Sequence, residues 1–270
     1  MVLTAAMFAV YESTQGQPNI VVMTVTEEAT ANIEDVEVVA VESNEAQTAV
    51  TDELPCIISK FDPIMRKVGE EEGQDWRLMS AIASHESRFI ENLQSKQGAR
   101  GIMQIRPVVA RHFDVPVESI DDTETNIRLA GMLLTELDDM LHMPASTPVA
   151  DRMSIILASY NAGIGHVLDA RRLARMEGAN PNSWDEVSHY LQLKADPAYY
   201  ELDEVQSGKF TGSRQTLAYV REVMEKYDQY CTMEAAYKMA KKLRESTKEH
   251  SLDTIIEKNR RIDIENFKIK

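Results

Sequence analysis

Glycine and aromatic residues are scarce in this chain: 11 glycines and 6% aromatics among 270 residues. That poverty excludes a collagen-like or prion-like chain. No run of about 18 apolar residues occurs, so no transmembrane helix is expected. Basic residues are outnumbered by acidic ones, 29 to 44, and the sequence pI is about 4.9. A face able to neutralise phosphates is therefore lacking, which argues against nucleic-acid binding. The six histidines are scattered without ligand spacing, so neither a metal nor another cofactor is expected.

What charge there is falls unevenly. Residues 1–55 hold ten acidic residues and no Lys or Arg, residues 56–232 carry a net −8, and residues 233–270 a net +3. The chain reads as an acidic leader, a folded middle and a mildly basic tail. Met1–Val10 is almost wholly apolar but lacks the charged flank and cleavage motif of an export signal. A remnant signal, a short strand and disorder all fit it. Residues 26–53 have no aromatic and no clear period, the composition of a solvated tether. The tail predicts a helix over Met233–Glu245. Lys241, Lys242 and Arg244 there leave contact with an anionic membrane surface open, beside simple packing at the domain's end.

Only two cysteines are present, Cys56 just before the folded middle and Cys231 at its end. They could staple the domain's ends in an oxidising compartment or stay as two thiols; the spacing alone leaves both open.

The middle reads as helix after helix. Asp62-Pro63 looks like an N-cap with proline in the first turn, and that helix should stop at Gly73. Further helices are predicted near 75–89, 107–113, 122–141, Thr147-Pro148 to 161, 165–176, after a Ser183/Glu186 capping box, and 213–230. Residues 94–106 read as a loop or short hairpin, and no period-two alternation appears. The expectation is a mainly α fold.

Three clusters carry chemistry. On the helix near 75–89, Glu86 lies three and four residues after Ala83 and Ile82, on the same face as the apolar Met79. A carboxylate aimed along an apolar stripe is costly unless paired or protonated. Burial would lift its pKa toward neutrality, which suits a general acid; an ion pair to Arg88 is the structural alternative. Downstream, Ser95 to Gln104 places Gly98 and Gly101 three apart, allowing a tight turn and close ligand approach. Ser95 and Gln104 there suit sugar hydroxyls and N-acetyl groups. Third, Ser159-Tyr160-Asn161-Ala162-Gly163 ends an apolar helix with an aromatic and an amide. His85-Glu86 opens like a zinc-protease helix, but Phe89 stands where the second histidine would be. Gly163-Ile164-Gly165 lacks a third glycine and a preceding strand, so no dinucleotide site is expected.

Glu86-Ser87-Arg88-Phe89, then Ser95 through Gln104, then Ser159-Tyr160-Asn161-Ala162-Gly163 together resemble the soluble-lytic-transglycosylase (SLT) catalytic domain of the lysozyme-like superfamily. The pattern is nearest that of the membrane-bound F-type murein transglycosylases. The resemblance covers about 56–232 and implies a single catalytic domain of goose-lysozyme/SLT type. It implies a peptidoglycan lyase that cleaves the β-1,4 bond from N-acetylmuramic acid to N-acetylglucosamine and leaves a 1,6-anhydro end. Glu86 would act as acid and then base, with Ser95, Gly101, Met103, Gln104, Tyr160, Asn161 and Tyr219 at the glycan. Partners would be peptidoglycan strands, met by a monomer in the periplasm, with outer-membrane attachment left open. One departure stands out: the family's Glu-Thr-Arg-x-Tyr-Val is here Gln215-Thr216-Leu217-Ala218-Tyr219-Val220. A hydrolytic muramidase of the same fold and a catalytically silent glycan-binding scaffold are the competing readings.

Overall fold

The computed structural model describes residues 57–247 in full and, for backbone only, 8–14, 17–23 and 248–267. Two compact units divide the chain: residues 58–232, and a second unit made of the first 57 residues with those after Thr232. In the second unit, strands β1 (Phe8–Thr14) and β2 (Gln17–Met23) pair antiparallel, Phe8 opposite Met23 and Thr14 opposite Gln17. The tether reading of 26–53 lies outside the described residues, as does Cys56; Cys231 is a half-buried free thiol.

The larger unit is all helix and loop among its described residues, as expected. Its elements are α1 (Asp62–Glu72), α2 (Trp76–Ser87), α3 (Pro107–His112), a 3-10 turn (Val117–Asp121), α4 (Thr123–Leu141), α5 (Val149–Ala162), α6 (Ile164–Met176), α7 (Trp184–Leu193), the short α8 (Pro197–Tyr200) and the start of α9 (Ser213–Phe267). The helix α4 is the central post. Ile127, Ala130, Leu134, Leu137 and Leu141 recur at helical spacing and are all buried. Each large aliphatic side chain so buried contributes about 1.5–3 kcal/mol. α1, α2 and α5 pack around this stripe.

Where local signals and structure part, a tertiary partner has intervened. Asp62 is not an N-cap but the first residue of α1. Its buried carboxylate turns back to accept from Ile58 N (2.8 Å) and Ser59 N (2.9 Å), fixing the turn before the helix. The Ser183/Glu186 capping box is not made. Ser183 sits at the N-cap of α7 without a side-chain bond, and Trp184 N donates instead to Asp151 Oδ1 on α5 (2.9 Å). α2 stops two residues early because Arg88 and Phe89 both turn left-handed, φ 54° and 60°. The two helices expected over 213–230 and 233–245 are one, since no Gly or Pro interrupts 213–267.

A buried ionic cluster fastens the segment leading into α9. Asp169 and Lys194 are both fully buried, 2.5 Å apart, and Arg172 also binds Asp169. The same carboxylate accepts from Gln206 N and Ser207 N (2.9 Å each), while Phe210 N donates to Lys194 O (3.0 Å). The loop before α9 is thereby pinned to α6 and to the end of α7.

Candidate active site

Glu86 arrives on the last turn of α2, above the fully buried Met79, Ile82 and Ala83. Its carboxyl is pushed up to about 7 by burial, which the Tyr219 hydroxyl only partly offsets. The pair with Arg88 is not made: Arg88 closes the helix in the left-handed region and is exposed, and no ion pair reaches Glu86 among the described residues.

Two tyrosines flank the acid. Tyr219 comes from α9 and is 2% exposed. Among the described residues its buried hydroxyl has no partner other than the Glu86 carboxyl that it faces. Tyr160 comes from the end of α5 and donates its hydroxyl proton to the Met103 carbonyl (2.8 Å). Burial first, and the Glu86 charge second, hold both phenols well above their ordinary range, so both stay protonated. The contact between α9 and α2 is fixed at Tyr219 and again further along α9. His85 meets the Tyr219 ring edge-on at 4.8 Å and bonds Glu222 Oε2 (3.1 Å); a turn and more further on, Tyr227 donates to Asp75 Oδ2 (2.9 Å), the N-cap of α2.

The glycine-rich segment forms the next wall. Isolated bridges Gln94–Arg100 and Arg100–Ile105 fold it back on itself, as the loop or short hairpin expected there. Ser87 anchors it to α2 by donating to Ile102 O (2.8 Å) and Ala83 O (3.1 Å). Asn126, buried on α4, accepts from Met103 N (2.8 Å) and donates to Arg100 O (2.9 Å) and Ile120 O (3.0 Å). Gly101 lies against that carboxamide with φ 76°, and a Cβ there would come within 2.4–2.7 Å of its three atoms. Gly101→Ala is expected to cost about 2 kcal/mol or more, from left-handed strain and the displaced amide. Urea unfolding measures this, and a change under about 0.5 kcal/mol, the scale of an ordinary surface substitution, would show that the fit is not tight.

The residues expected at the glycan fall into two groups. Met103 is fully buried and Gly101 is buried, both within the wall that the loop presents to the site. Ser95, Gln104 and Asn161 are half-exposed, each with part of its hydrogen-bonding capacity spent. Ser95 Oγ accepts from Ala99 N (3.0 Å), leaving its proton. Gln104, at φ 50°, donates its amide to Leu93 O and Gly101 O, leaving its carbonyl oxygen. Asn161 Oδ1 accepts from the buried Thr216 Oγ1 (2.9 Å), leaving its amide. Gln215, the departure from the family motif, is exposed, while its neighbour Thr216 carries the bond to Asn161. Sequence reasoning passed over Asn126, Ser87 and Thr216. A signal for Asn126 exists in the sequence: it stands three and four residues before Leu129 and Ala130, a polar residue on the buried side of α4.

Residues 63–182 match the family model described as the Transglycosylase SLT domain. A membrane-bound lytic murein transglycosylase F of Alcanivorax borkumensis is 33% identical over 168 residues, 62% of this chain and 34% of that protein. One from Mannheimia succiniciproducens is 37% identical over 152 residues, 56% and 29% of the two chains. This chain thus spans about a third of the length of these relatives. Among solved structures, the 70 kDa soluble lytic transglycosylase of Escherichia coli aligns at 22% identity with a TM-score of 0.41, over 64% of this chain and 24% of that one.

Proposed function

We propose that this chain, whose residues 63–182 match the Transglycosylase SLT domain, cleaves the glycan of peptidoglycan without water, with Glu86 as its only acid and base. The observation that carries the reading is the setting of Glu86: half-buried, lifted to about 7, and beside two neutral tyrosines, with no carboxylate among the described residues contributing to its shift. Hydrolysing glycosidases usually flank the scissile bond with two carboxyl groups. A lone Glu suits a route in which the nucleophile belongs to the substrate.

The Glu86 proton goes to the glycosidic oxygen as the bond from the muramic C1 breaks. The muramic 6-hydroxyl then attacks C1 and returns its proton to Glu86, closing the 1,6-anhydro ring. No water is consumed and the enzyme ends as it began. The Ser95 hydroxyl, the Gln104 carbonyl and the Asn161 amide are the unspent polar groups that would orient the sugars. Catalysis is assigned to 56–232, with 1–55 as tether and 233–270 as tail; the compact unit 58–232 supports this division. The relatives' names place them at a membrane and on murein, which supports a periplasmic location at or near the membrane for this chain; that it acts as a monomer is part of the same proposal.

Mass spectrometry of peptidoglycan digested by the full chain tests the reaction. Anhydro ends, one water lighter than reducing ends, are the expected product. Reducing ends would replace the reading by a muramidase, and intact glycan bound but uncut by a scaffold.

The pH dependence follows from the raised carboxyl. Glu86 must start protonated, so kcat/KM should hold below pH 7, halve near 7, and fall about tenfold per unit above it. A profile flat to pH 9 would mean that the initiating acid is another group.

A further inference from the structure

On the reading that Asn161 meets the glycan, the hydrogen bond behind it decides what it can bind. Asn161 sits in the last turn of α5, one residue after Tyr160, whose hydroxyl reaches the glycine-rich segment at Met103 O (2.8 Å). Its Oδ1 accepts from Thr216 Oγ1 of α9 (2.9 Å). Thr216 stands three residues before Tyr219, so the two share a face of α9, and both are buried. The segment that delivers Thr216 is itself fixed: Gln206 N and Ser207 N donate to Asp169, Phe210 N donates to Lys194 O, and Thr216 N donates to Gly212 O.

Thr216 is 1% exposed, whereas Asn161 is half-buried. Among the described residues, this is the one hydrogen bond that either side chain makes. A threonine hydroxyl has a single proton, and a carboxamide has one accepting and one donating end. Were the Asn161 amide reversed, Nδ2 would donate to Thr216 and the Thr216 proton would be stranded in a buried site, the costly case for a polar group. The amide is therefore oriented from behind, with both Nδ2 protons left for a ligand. A sugar hydroxyl can turn to suit either end of an amide. Holding the donating end outward matters only for a group that accepts and cannot donate. On an N-acetylated glycan the acetamido carbonyl is such a group, and every sugar carries one.

We propose that Thr216 is a positioning residue: its hydroxyl holds the Asn161 carboxamide with Oδ1 toward α9 and Nδ2 toward the glycan, so that Asn161 is a fixed donor for an acetamido carbonyl. With the Thr216 proton gone, the carboxamide is free to reverse and to present its oxygen, which repels that carbonyl.

The test uses the full chain on purified peptidoglycan, read as kcat and KM. Thr216→Val keeps the shape and removes the proton. It should raise KM on the order of fivefold, the scale of one hydrogen bond, with kcat little changed. Thr216→Ser keeps the proton and should restore KM. In an Asn161→Ala background Thr216→Val should add nothing, because its route of action is gone. A KM that Thr216→Val leaves unmoved, or raises again without Asn161, would overturn the assignment. The acceptor is read from the substrate. On de-N-acetylated glycan the parent and Thr216→Val should have equal KM, and a difference that persists there would remove the acetamido carbonyl as the partner. Should Thr216→Val fail to fold, Asn161→Asp decides, since it keeps an acceptor for Thr216 and removes only the donor. A KM raised as in Asn161→Ala supports the proposal, and a parental KM overturns it. A parental KM in Asn161→Ala would instead remove the underlying placement of Asn161 at the glycan, a different failure.

Discussion

Glu86→Gln is expected to lose turnover by about a thousandfold or more while the protein gains stability at alkaline pH. The first half follows from the two roles placed on one group. A positioned acid contributes about 10²–10⁴-fold, and here the same carboxyl must also take up the proton of the attacking hydroxyl. Glutamine has the shape and an N–H but no proton that it can give away. The second half follows from linkage. The folded carboxyl is raised to about 7 from an ordinary value of 4.5, so the folded state holds its proton more tightly than the unfolded state. Stability contributed by the protonated form is therefore complete below the ordinary value and is lost as pH rises through 7. Glutamine has no such loss. Thermal melts at pH 4 and pH 8 should show the variant matching the parent at the lower pH and melting higher at the upper one. A variant that melts lower at pH 8 would mean that the carboxylate is stabilised by a partner, and is not a strained acid.

Much of this site is legible in the sequence because helical period and burial act locally. Ile82, Ala83 and Glu86 share a face by spacing alone, and the cost of a carboxylate on such a face is enough to point to a raised pKa. Gly101 and Gly98 announce a turn, and both have positive φ. What escapes is set by partners elsewhere in the chain. Asp62 caps nothing because Ile58 and Ser59 claim its carboxylate, and Ser183 is displaced from its capping role by Asp151, 32 residues earlier. The burial of Met103, which its motif places at the glycan, is likewise set by its own loop and by α4. The direction of the Tyr160 proton is of this kind too: a tyrosine at a helix end suggests an aromatic platform, and only the Met103 carbonyl shows where its hydroxyl is spent.

Removing the Asp169 carboxylate should produce the largest loss of stability that a single substitution outside the site can cause. Burial alone would push this carboxyl up, but the Lys194 ammonium and the N–H groups of Gln206 and Ser207 outweigh it and hold it below its ordinary value. In Asp169→Ala the Lys194 ammonium stays buried with only His166 Nδ1 (3.0 Å) beside it. Breaking a buried pair in this way costs about 3–5 kcal/mol. The double variant Asp169→Leu/Lys194→Met removes both charges and should recover part of that loss, since no ion then remains stranded. Recovery stays incomplete because Gln206 N and Ser207 N have lost their acceptor, and each unsatisfied buried donor costs about 1–3 kcal/mol. The pH signature has a definite sign. A depressed carboxyl contributes stability above its unfolded value near 3.9 and loses it as pH falls through the lower folded value. The parent should therefore weaken steeply below about pH 4, and the double variant, lacking the carboxyl, should weaken less. Urea titrations of the three proteins at pH 3.5 and 7 give both comparisons. If Asp169→Ala costs under about 1 kcal/mol at pH 7, the typical loss for a point substitution, Lys194 has found water or another acceptor, and the segment leading to Thr216 and Tyr219 is held by the Phe210 and Arg172 contacts instead.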